Sequence, residues 1–304
     1  MQQLWVEKYR PKSVDEYVFR NQEQKELITQ WIKDQSIPHL LLSGHPGIGK
    51  TSLARLLIHQ LNIELADVLD INASRVNGVE EIRTKIVNFV QMLPIGAYKV
   101  VLFDEADYLT PQAQAALRGV FEEYHEFARF ILTCNYPNKI IPALHSRCHG
   151  IHFAKIDPTE FTARIATILL QENVKPDLDI LDTYVKATYP DLRKCINKIQ
   201  QNVKDKSLLS PVESEVDQSD WMIEMVELFK QGKIQKARKL LCGNVRPEDM
   251  DTIYRWLYDN IELFGDDAQQ DAAVHIIKKA MVDHAIVIDP EINLASCLIH
   301  LANL

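Results

Sequence analysis

Three glycines, one lysine and one threonine occur within the eight residues Gly44–Thr51, and together they could bind a chain of phosphates. The stretch reads G-x-x-x-x-G-K-T and lies between the apolar run Leu40–Leu42 and the helical pattern Ser52–Ile58. Glycines let a loop point successive N–H groups inward, and a following helix N-terminus adds further donors. A strand, a phosphate loop and a helix are therefore predicted, with Lys50 on the terminal phosphates and the Thr51 hydroxyl on Mg²⁺. A Gly-rich turn without a ligand is the alternative. The residues expected to bind a triphosphate here are Gly44, His45, Pro46, Gly47, Ile48, Gly49, Lys50, Thr51 and Ser52.

Carboxylates and an amide follow two further apolar runs. Asp104 and Glu105 come directly after Val100–Phe103, and Asn135 ends the run Phe130–Asn135. Ligands of open α/β sheets bind at the carboxyl ends of the strands. Asp104 is therefore expected to hold Mg²⁺, Glu105 to polarise the attacking water, and Asn135 to hold that water or sense the γ-phosphate. Solvated strand ends are the alternative for all three.

Two arginines and an N-terminal stretch are more ambiguous. Arg147 has no acidic residue three or four positions away within its own segment, so a solvated arginine is its default interpretation. Arg193 is expected in the first turn of a helix. Trp5–Pro11 is predicted to be a strand-like or loop segment, because Pro11 disfavours helical angles in the residue before it. Its aromatic and basic groups could surround a base, or the stretch could be an arm held by packing.

Length and composition limit the class of protein. A chain of 304 residues predicts two or three domains. No apolar run approaches the ~18 residues of a membrane span, and the first residues show no signal peptide pattern. The five cysteines are scattered without a C-x-x-C pair, which argues against disulfides and zinc and favours a reducing cytosol.

The net charge of −8 argues against nucleic-acid binding until its distribution is considered. Residues 1–152 hold 16 basic and 17 acidic side chains, whereas residues 153–304 hold 18 and 25, so the two halves carry −1 and −7. The half that contains the phosphate loop could therefore still present a local basic strip.

Hydrophobic periodicity predicts the elements that must position these groups. Helical patterns over Gln22–Lys33 and Val79–Val90, and a short strand over Val68–Asn72, alternate with the apolar strands already described. After a helix start at Asp157–Glu160 no strand signal recurs, and Lys204–Asp220 is polar enough to be a linker. The chain is therefore expected to form a parallel α/β sheet with helices on both faces, followed by helical segments.

The combination of motifs resembles the AAA+ ATPases. Narrower motifs are similar to those of sliding-clamp loader subunits, such as the small subunits of replication factor C. The resemblance spans about residues 4–200, and the compact length and the sequence Tyr189–Lys194 look most like the large subunit of T4-like bacteriophage clamp loaders. Two departures are Arg75–Gly78, where cellular relatives carry acidic and basic residues, and the absence of any motif over residues 221–304. The motifs that carry the resemblance are Trp5–Pro11, Gly44–Thr51, Asn72–Ser74, Asp104–Asp107, Asn135, Ser146–Cys148 and Arg193.

This resemblance implies three domains and a catalytic set. Residues 1–154 would form the AAA+ nucleotide-binding domain, 155–210 a helical lid and 211–304 an all-α collar. Arg147 would act in trans as an arginine finger on the ATP of a neighbouring subunit, and Arg193 would contact the γ-phosphate from the lid of its own subunit. The implied catalytic residues are Lys50, Glu105, Asn135, Arg147 and Arg193. The implied base and ribose site consists of Val6, Tyr9, Arg10 and Pro11.

The helix over Val79–Val90 is implied to contact two partners. Arg83 and Lys85 would follow DNA phosphates, with a solvated helix face as the alternative. Met92 and Leu93, at its exposed tip, would bind the clamp, with a role in capping the core as the alternative. ATP binding would then open the clamp and grip primer–template DNA within a pentameric hetero-oligomer, and hydrolysis would release both. Another AAA+ DNA motor, such as a branch-migration helicase, and a scaffold subunit of the same loader are the rival functions. A cytoplasmic location, in a bacterial host if the chain is phage-encoded, is expected.

Overall fold

The computed structural model describes residues 3–75, 79–175, 177–209, 221–244, 250–284 and 286–304. Contacts between Cα atoms divide the chain into two compact units. The first comprises Met1–Ile168 and Tyr189–Gln200, and the second comprises Leu169–Thr188 and Gln201–Leu304. The predicted three-domain division at residues 154 and 210 stays a prediction beside these two units.

A sheet of five parallel strands forms the centre of the first unit. Its spatial order is β2-β3-β4-β1-β5, so the strand that leads into the phosphate loop lies inside the sheet. Because every neighbouring pair is parallel, the carboxyl ends of β1, β3 and β4 meet at one edge. The strands are β1 (Leu40–Gly44), β2 (Val68–Asn72), β3 (Lys99–Asp104), β4 (Ala128–Cys134) and β5 (His149–Phe153).

Helices cover both faces of this sheet, as predicted. Successive residues of a strand point to opposite faces, and β3 shows this directly. Val100 and Leu102 are buried in a cluster with residues of α2 (Gln22–Lys33) and α3 (Lys50–Gln60). Val101 and Phe103 are buried in a second cluster, with residues of the helices α4 (Val79–Gln91) and α5 (Pro111–Glu123). The continuous apolar runs in the sequence follow from this burial on both sides.

Polar caps determine where several helices begin. The Asn21 side chain accepts a hydrogen bond from the Gln24 N–H at the start of α2, and Thr110 accepts one from Ala113 at the start of α5. Pro111 is the first residue of α5, where a missing N–H costs nothing. The remaining helices up to residue 201 are α1 (Trp5–Lys8), α6 (Pro142–His145), α7 (Pro158–Gln171), α8 (Leu178–Thr188) and α9 (Leu192–Gln201).

The structure corrects three predictions of local structure. Trp5–Lys8 is one turn of helix rather than a strand-like or loop segment, because the restriction from Pro11 affects only the residue directly before it. The edge strand β5 was not predicted, since its exposed His149 and His152 interrupt any apolar run. A two-residue hairpin, β6 (Val203–Lys204) and β7 (Ser207–Leu208), lies beyond residue 157, where only helices were expected.

The second unit is mainly helical, in agreement with the sequence pattern. A buried Asn293 amide joins three of its segments, donating to the Tyr254 hydroxyl and to the Ala280 carbonyl. None of the described helices is long and apolar enough to cross a membrane. Residues 210–220 of the predicted linker, and Val76–Gly78 of the loop after β2, lie outside the described residues. The helices of the second unit after the predicted linker are α10 (Trp221–Lys230), α11 (Ile234–Asn244), α12 (Met250–Asp259), α13 (Asp267–His284) and α14 (Pro290–Ala302).

Candidate nucleotide site

Lys50, the first residue of α3, is held by the phosphate loop and by the end of a neighbouring strand. Its ammonium nitrogen donates to the carbonyls of Gly44 at 2.8 Å and His45 at 2.6 Å. It also donates to the Asn135 side-chain oxygen at 2.9 Å. The loop thus brings together the cation and the strand-end amide that the sequence placed 85 residues apart.

The environment of Lys50 disfavours its charge. Burial lowers the pKa of Lys50 to about 8, and the Arg193 guanidinium acts in the same direction, whereas the Asp107 and Asp104 carboxylates oppose the shift. The side chain is only 7% exposed. A bound phosphate would return a counter-charge to this ammonium group.

The close approach of Asp191 to the phosphate loop shows why position 47 is glycine. Gly47 has a φ of +74°, and a Cβ added there would lie 1.9 Å from a carboxylate oxygen of Asp191. Asp191 precedes α9 and accepts a hydrogen bond from the Lys194 N–H, which fixes the helix start that carries Arg193. A side chain at position 47 would be strained by the positive φ and would displace the Asp191 carboxylate from the loop.

Three oxygen-bearing side chains meet at the edge of the sheet beside Lys50. The hydroxyls of Thr51 and Thr133 both donate to Asp104 Oδ1, at 2.8 Å and 2.5 Å. Hydroxyl and carboxylate oxygens are the ligands that Mg²⁺ prefers, usually with only one or two carboxylates from the protein and the rest from phosphates and water. Thr51 and Asp104 therefore fit the metal site predicted for them.

Glu105 follows β3 with an unusual backbone. Its φ and ψ are 58° and 44°, in the left-handed region, and its N–H donates to the Thr133 hydroxyl at 3.1 Å. The side chain is half-buried. Glu105 directly follows Asp104 at the carboxyl end of β3.

Most of the residues predicted to bind ATP line a cavity beside the phosphate loop. Gly44 and His45 contribute carbonyls to Lys50 instead of lining it, and Pro46 is an exposed loop residue. The predicted residues that line the cavity are Val6, Tyr9, Arg10, Pro11, Gly47, Ile48, Gly49, Lys50, Thr51, Ser52 and Arg193.

Sequence reasoning missed several residues of this cavity, among them Tyr17 and Arg164. The Tyr17 hydroxyl donates to the Gly49 carbonyl at 3.2 Å, and Arg164 on α7 donates to the Tyr9 carbonyl at 2.9 Å. Burial lowers the pKa of the Arg164 guanidinium. These contacts tie the N-terminal segment to the phosphate loop and to α7. No motif marked either residue, and only three-dimensional proximity identifies them.

Arg147 is not a solvated arginine. It follows α6, and its guanidinium donates to the Glu122 carboxylate on α5 and, at 2.8 Å, to the Ala143 carbonyl. The hydrogen bond from Arg147 lowers the pKa of Glu122, and Arg118 donates to the same carboxylate oxygen at 3.4 Å. Among the described residues, the lining of the nucleotide cavity does not include Arg147.

A buried amide fixes the segment that leads to Arg147. Gln114 on α5 is 1% exposed. Its NH₂ group donates to the carbonyls of Leu109 and Lys139, both at 3.0 Å, and its oxygen accepts from the Ile141 N–H at 2.8 Å. Since α6 begins at Pro142, Gln114 ties the approach to α6 firmly to α5.

Helix α4 carries the residues predicted to contact DNA, and the residues predicted to contact the clamp follow directly after it. Arg83 and Lys85 are exposed, and Lys85 borders a shallow depression with Arg55 and Arg75, next to Asp104. Just past the end of α4, Met92 is 59% and Leu93 83% exposed, so neither caps the core in the first unit.

Comparisons with known proteins identify the family. Residues 40–156 match the model of the ATPase family associated with various cellular activities, AAA. The chain is 36% identical over 250 residues to the replication factor C small subunit of Methanococcus vannielii, covering 79% of each chain. It is 40% identical over 245 residues to that of Sulfurisphaera tokodaii, covering 78% of this chain and 75% of that protein.

Solved structures agree on the fold. The Thermotoga maritima RuvB Holliday junction branch migration motor superimposes with a TM-score of 0.56 at 19% identity, over 75% of this chain and 78% of that one. At this identity the similarity concerns the fold alone. The relatives above are far closer in sequence, and the chain therefore belongs to the replication factor C small subunit family, as an AAA+ ATPase of the clamp-loader type in DNA replication.

Proposed function

We propose that this chain is the ATP-driven subunit that opens a ring-shaped sliding clamp, grips primer–template DNA when ATP binds, and releases both on hydrolysis. The observation that carries the proposal is the pair of contacts Lys50–Asn135 and Thr51–Asp104. They bring a cation, an amide, a hydroxyl and a carboxylate to the edge of the sheet where the phosphate loop ends, which is the set that phosphoryl transfer needs.

Each residue has a defined part in the chemistry. Lys50 exchanges its carbonyl partners for the β- and γ-phosphates, and Asn135, which already accepts from Lys50, reports on the γ-phosphate or holds the attacking water. Glu105 polarises that water and takes up its proton. Thr51 and Asp104 would hold Mg²⁺, which when bound neutralises charge on the phosphates. Val6, Tyr9, Arg10 and Pro11 surround the base and ribose.

The site is shared between subunits in this proposal. Arg193 lines the nucleotide cavity of its own chain and contacts the γ-phosphate there, whereas Arg147 lies outside that lining. Arg147 is therefore assigned to the ATP of the neighbouring subunit. An arginine finger of this kind is worth ~10³–10⁵ in rate.

The partners follow from the same assignment. The chain would assemble with companion subunits into a pentamer, through a collar over residues 211–304 that follows a nucleotide-binding domain over 1–154 and a lid over 155–210. The compact length and the sequence Tyr189–Lys194 look most like the large subunit of T4-like bacteriophage clamp loaders. A phage-encoded chain of this kind would act in the cytoplasm of a bacterial host. Arg83 and Lys85 would contact DNA, and Met92 and Leu93 the clamp.

Two rival functions predict different responses. A branch-migration helicase would use the same fold, but the chain shares only 17–19% identity with the RuvB structures. A scaffold subunit would lack a working site, whereas Lys50 and Glu105 are both present. ATP hydrolysis measured with primed DNA alone, clamp alone and both together separates the three. A loader requires both for full stimulation, a motor responds to DNA alone, and a scaffold responds to neither.

A mixing experiment tests the shared site directly. Arg147→Ala subunits keep their phosphate loops, and Lys50→Ala subunits keep their arginine fingers. Each variant alone should be nearly inactive in the assembly, and an equimolar mixture should recover part of the activity. Turnover of Arg147→Ala alone near that of the unmodified chain would contradict the assignment of Arg147.

A further inference from the structure

We propose that Glu122 is a positioning residue for Arg147, which it holds in place while Arg147 acts on the ATP of the neighbouring subunit. The inference rests on the proposed function, in which Arg147 completes that site. It adds a carboxylate that none of the sequence motifs contains and that lies 25 residues before Arg147 in the chain.

Contacts on both terminal nitrogens orient the guanidinium of Arg147. One terminal nitrogen donates to Glu122, and the other donates to the Ala143 carbonyl at 2.8 Å and to the Ser146 hydroxyl at 3.3 Å. A guanidinium has five N–H groups in a rigid plane. These contacts use three of them, so two remain for a phosphate oxygen while the orienting contacts persist.

Glu122 is itself held by a rigid element. It lies on α5, whose Leu117, Val120 and Phe121 are buried in the core against the sheet. Gln114 fastens the same helix to the segment that enters α6. The backbone that carries Glu122 and the backbone around Arg147 are therefore fixed relative to one another, which suits a contact that must place a group within a fraction of an ångström.

The charge of the cluster also fits a role during catalysis. Arg118 and Arg147 share the single Glu122 carboxylate, so the three side chains together keep one positive charge. The lowered pKa of Glu122 keeps its carboxylate ionised at neutral pH. An anion can thus bind Arg147 without displacing Glu122.

The opposite interpretation is that Glu122 is a latch, which competes with the phosphate for Arg147. The two differ in the sign of one measurement. Removing a positioning carboxylate slows hydrolysis in the assembly, because the guanidinium samples other directions. Removing a latch accelerates hydrolysis, because Arg147 becomes available sooner.

The test uses the same mixture of Arg147→Ala and Lys50→Ala subunits, in the full assembly with primed DNA and clamp. Glu122→Gln is introduced either into the Lys50→Ala chain, which donates the finger, or into the Arg147→Ala chain, which donates the phosphate loop. In the finger donor we expect kcat to fall about 10- to 100-fold with KM for ATP unchanged, since misplacement by about 1 Å can cost 10²-fold. In the phosphate-loop donor we expect no change.

Matched variants distinguish this effect from damage to the helix. Glu123→Gln removes the adjacent exposed carboxylate and should leave kcat unchanged, and Glu122→Asp in the finger donor should restore part of the rate. Melting temperatures should agree among all variants. An unchanged or higher kcat for Glu122→Gln in the finger donor overturns the inference. If the mixture without any Glu122 substitution is inactive, the shared site itself is wrong, which identifies a failure of the proposed function instead.

Discussion

Lys50 occupies its working position through contacts with the protein itself. Its three acceptors are two loop carbonyls and Asn135, so the ammonium lies where a phosphate would meet it. Glu105 and Asp104 are adjacent in sequence but differ in environment, because Asp104 is bound by two hydroxyls whereas Glu105 begins a left-handed turn. Binding and turnover should therefore separate by mutation.

Substitution of these two residues should separate the steps. Lys50→Ala should abolish nucleotide binding, because the loop loses its charge-assisted donor. Glu105→Gln should bind ATP with unchanged affinity and lose about 10²–10⁴ in turnover, because only the carboxylate that polarises water is gone. Titration with a fluorescent ATP analogue and single-turnover hydrolysis measure the two quantities. Hydrolysis by Glu105→Gln at the rate of the unmodified chain would refute the assignment of the base.

The lowered pKa of Lys50 predicts a coupling between pH and binding. With a pKa of about 8, part of the unliganded protein carries a neutral amine at pH 8, and a bound triphosphate favours the ammonium. Binding should therefore take up protons near pH 8, and ATP affinity should fall by up to about tenfold per pH unit above it. Titration calorimetry in two buffers of different ionisation enthalpy measures the uptake. Equal heats in both buffers would contradict the prediction.

The same shift affects folding stability in the opposite direction. The folded pKa lies below the ordinary value of 10.5, so the unfolded chain binds more protons between about pH 8 and 10.5. The contribution of Lys50 to the free energy of unfolding therefore increases as pH rises through that window. A rise in pH thus weakens ATP binding. It also reduces the free-energy cost of burying the Lys50 ammonium in the folded chain.

At the scale of elements, α4 packs against the sheet, and the two predicted contact surfaces lie on this helix and directly after it. Ile86 and Val90 are buried against the sheet, whereas Arg83 and Lys85 are exposed on the same helix. The basic pair therefore lies on a helix that packing holds in place, and the apolar tip, Met92 and Leu93, directly follows that helix. Each surface can be tested without disturbing that packing.

Charge reversal tests the DNA surface. Arg83→Glu with Lys85→Glu should weaken binding of primed DNA equally for all sequences and flatten its dependence on salt, because phosphate contacts release counterions and carry no base information. Removal of two cations from the phosphate backbone should reduce the slope of log K against log[salt] by about 2. The measurement is fluorescence anisotropy at several salt concentrations. An unchanged slope would indicate a solvated helix face.

The apolar tip is tested by Met92→Asp with Leu93→Asp. Because both side chains are largely exposed, the melting temperature and basal ATPase should stay the same. Stimulation by the clamp should disappear, since the apolar anchor that fills a clamp pocket would be absent. A drop in melting temperature together with loss of all activities would show a core role instead.

The elements that the sequence predicted are those with a strong local signal. Buried strands such as β3 form continuous apolar runs, and α2 and α5 carry periodic apolar faces with caps. The strand β5 has a half-polar pattern because it lies at the edge, and the β6–β7 hairpin is too short for any period to show. The one-turn helix α1 depends on tertiary packing. Trp5 is buried, and its backbone N–H donates to the side-chain oxygen of Gln200.

At the scale of the whole molecule, the residues that motifs identify are held by partners that motifs do not identify. The contacts Arg147–Glu122, Tyr17–Gly49 and Arg164–Tyr9 join distant positions. Sequence spacing describes neighbours along one element, whereas these pairs form only when separate elements fold together. The phosphate loop and its acidic strand end were therefore predictable, but the residues that position them were not.

A site shared between subunits makes turnover depend on assembly. ATP hydrolysis per chain should increase with protein concentration, because isolated chains lack the finger from a neighbour, and then reach a plateau. Specific activity measured over a dilution series, with analytical ultracentrifugation at the same concentrations, checks this. Arg147→Ala provides the control, since its low activity should stay proportional to concentration. A specific activity that is constant on dilution to monomers would contradict the shared site.

The left-handed backbone of Glu105 has a thermodynamic consequence for the folded chain. A residue with a side chain loses about 1–2 kcal/mol in this conformation, and the buried strand before it and the Thr133 hydroxyl hold the turn in place. Glycine or asparagine would adopt the same angles with less strain. Stability alone would therefore favour glycine or asparagine here, and under the proposed function the chain gives up part of its folding free energy to keep the carboxylate that polarises water.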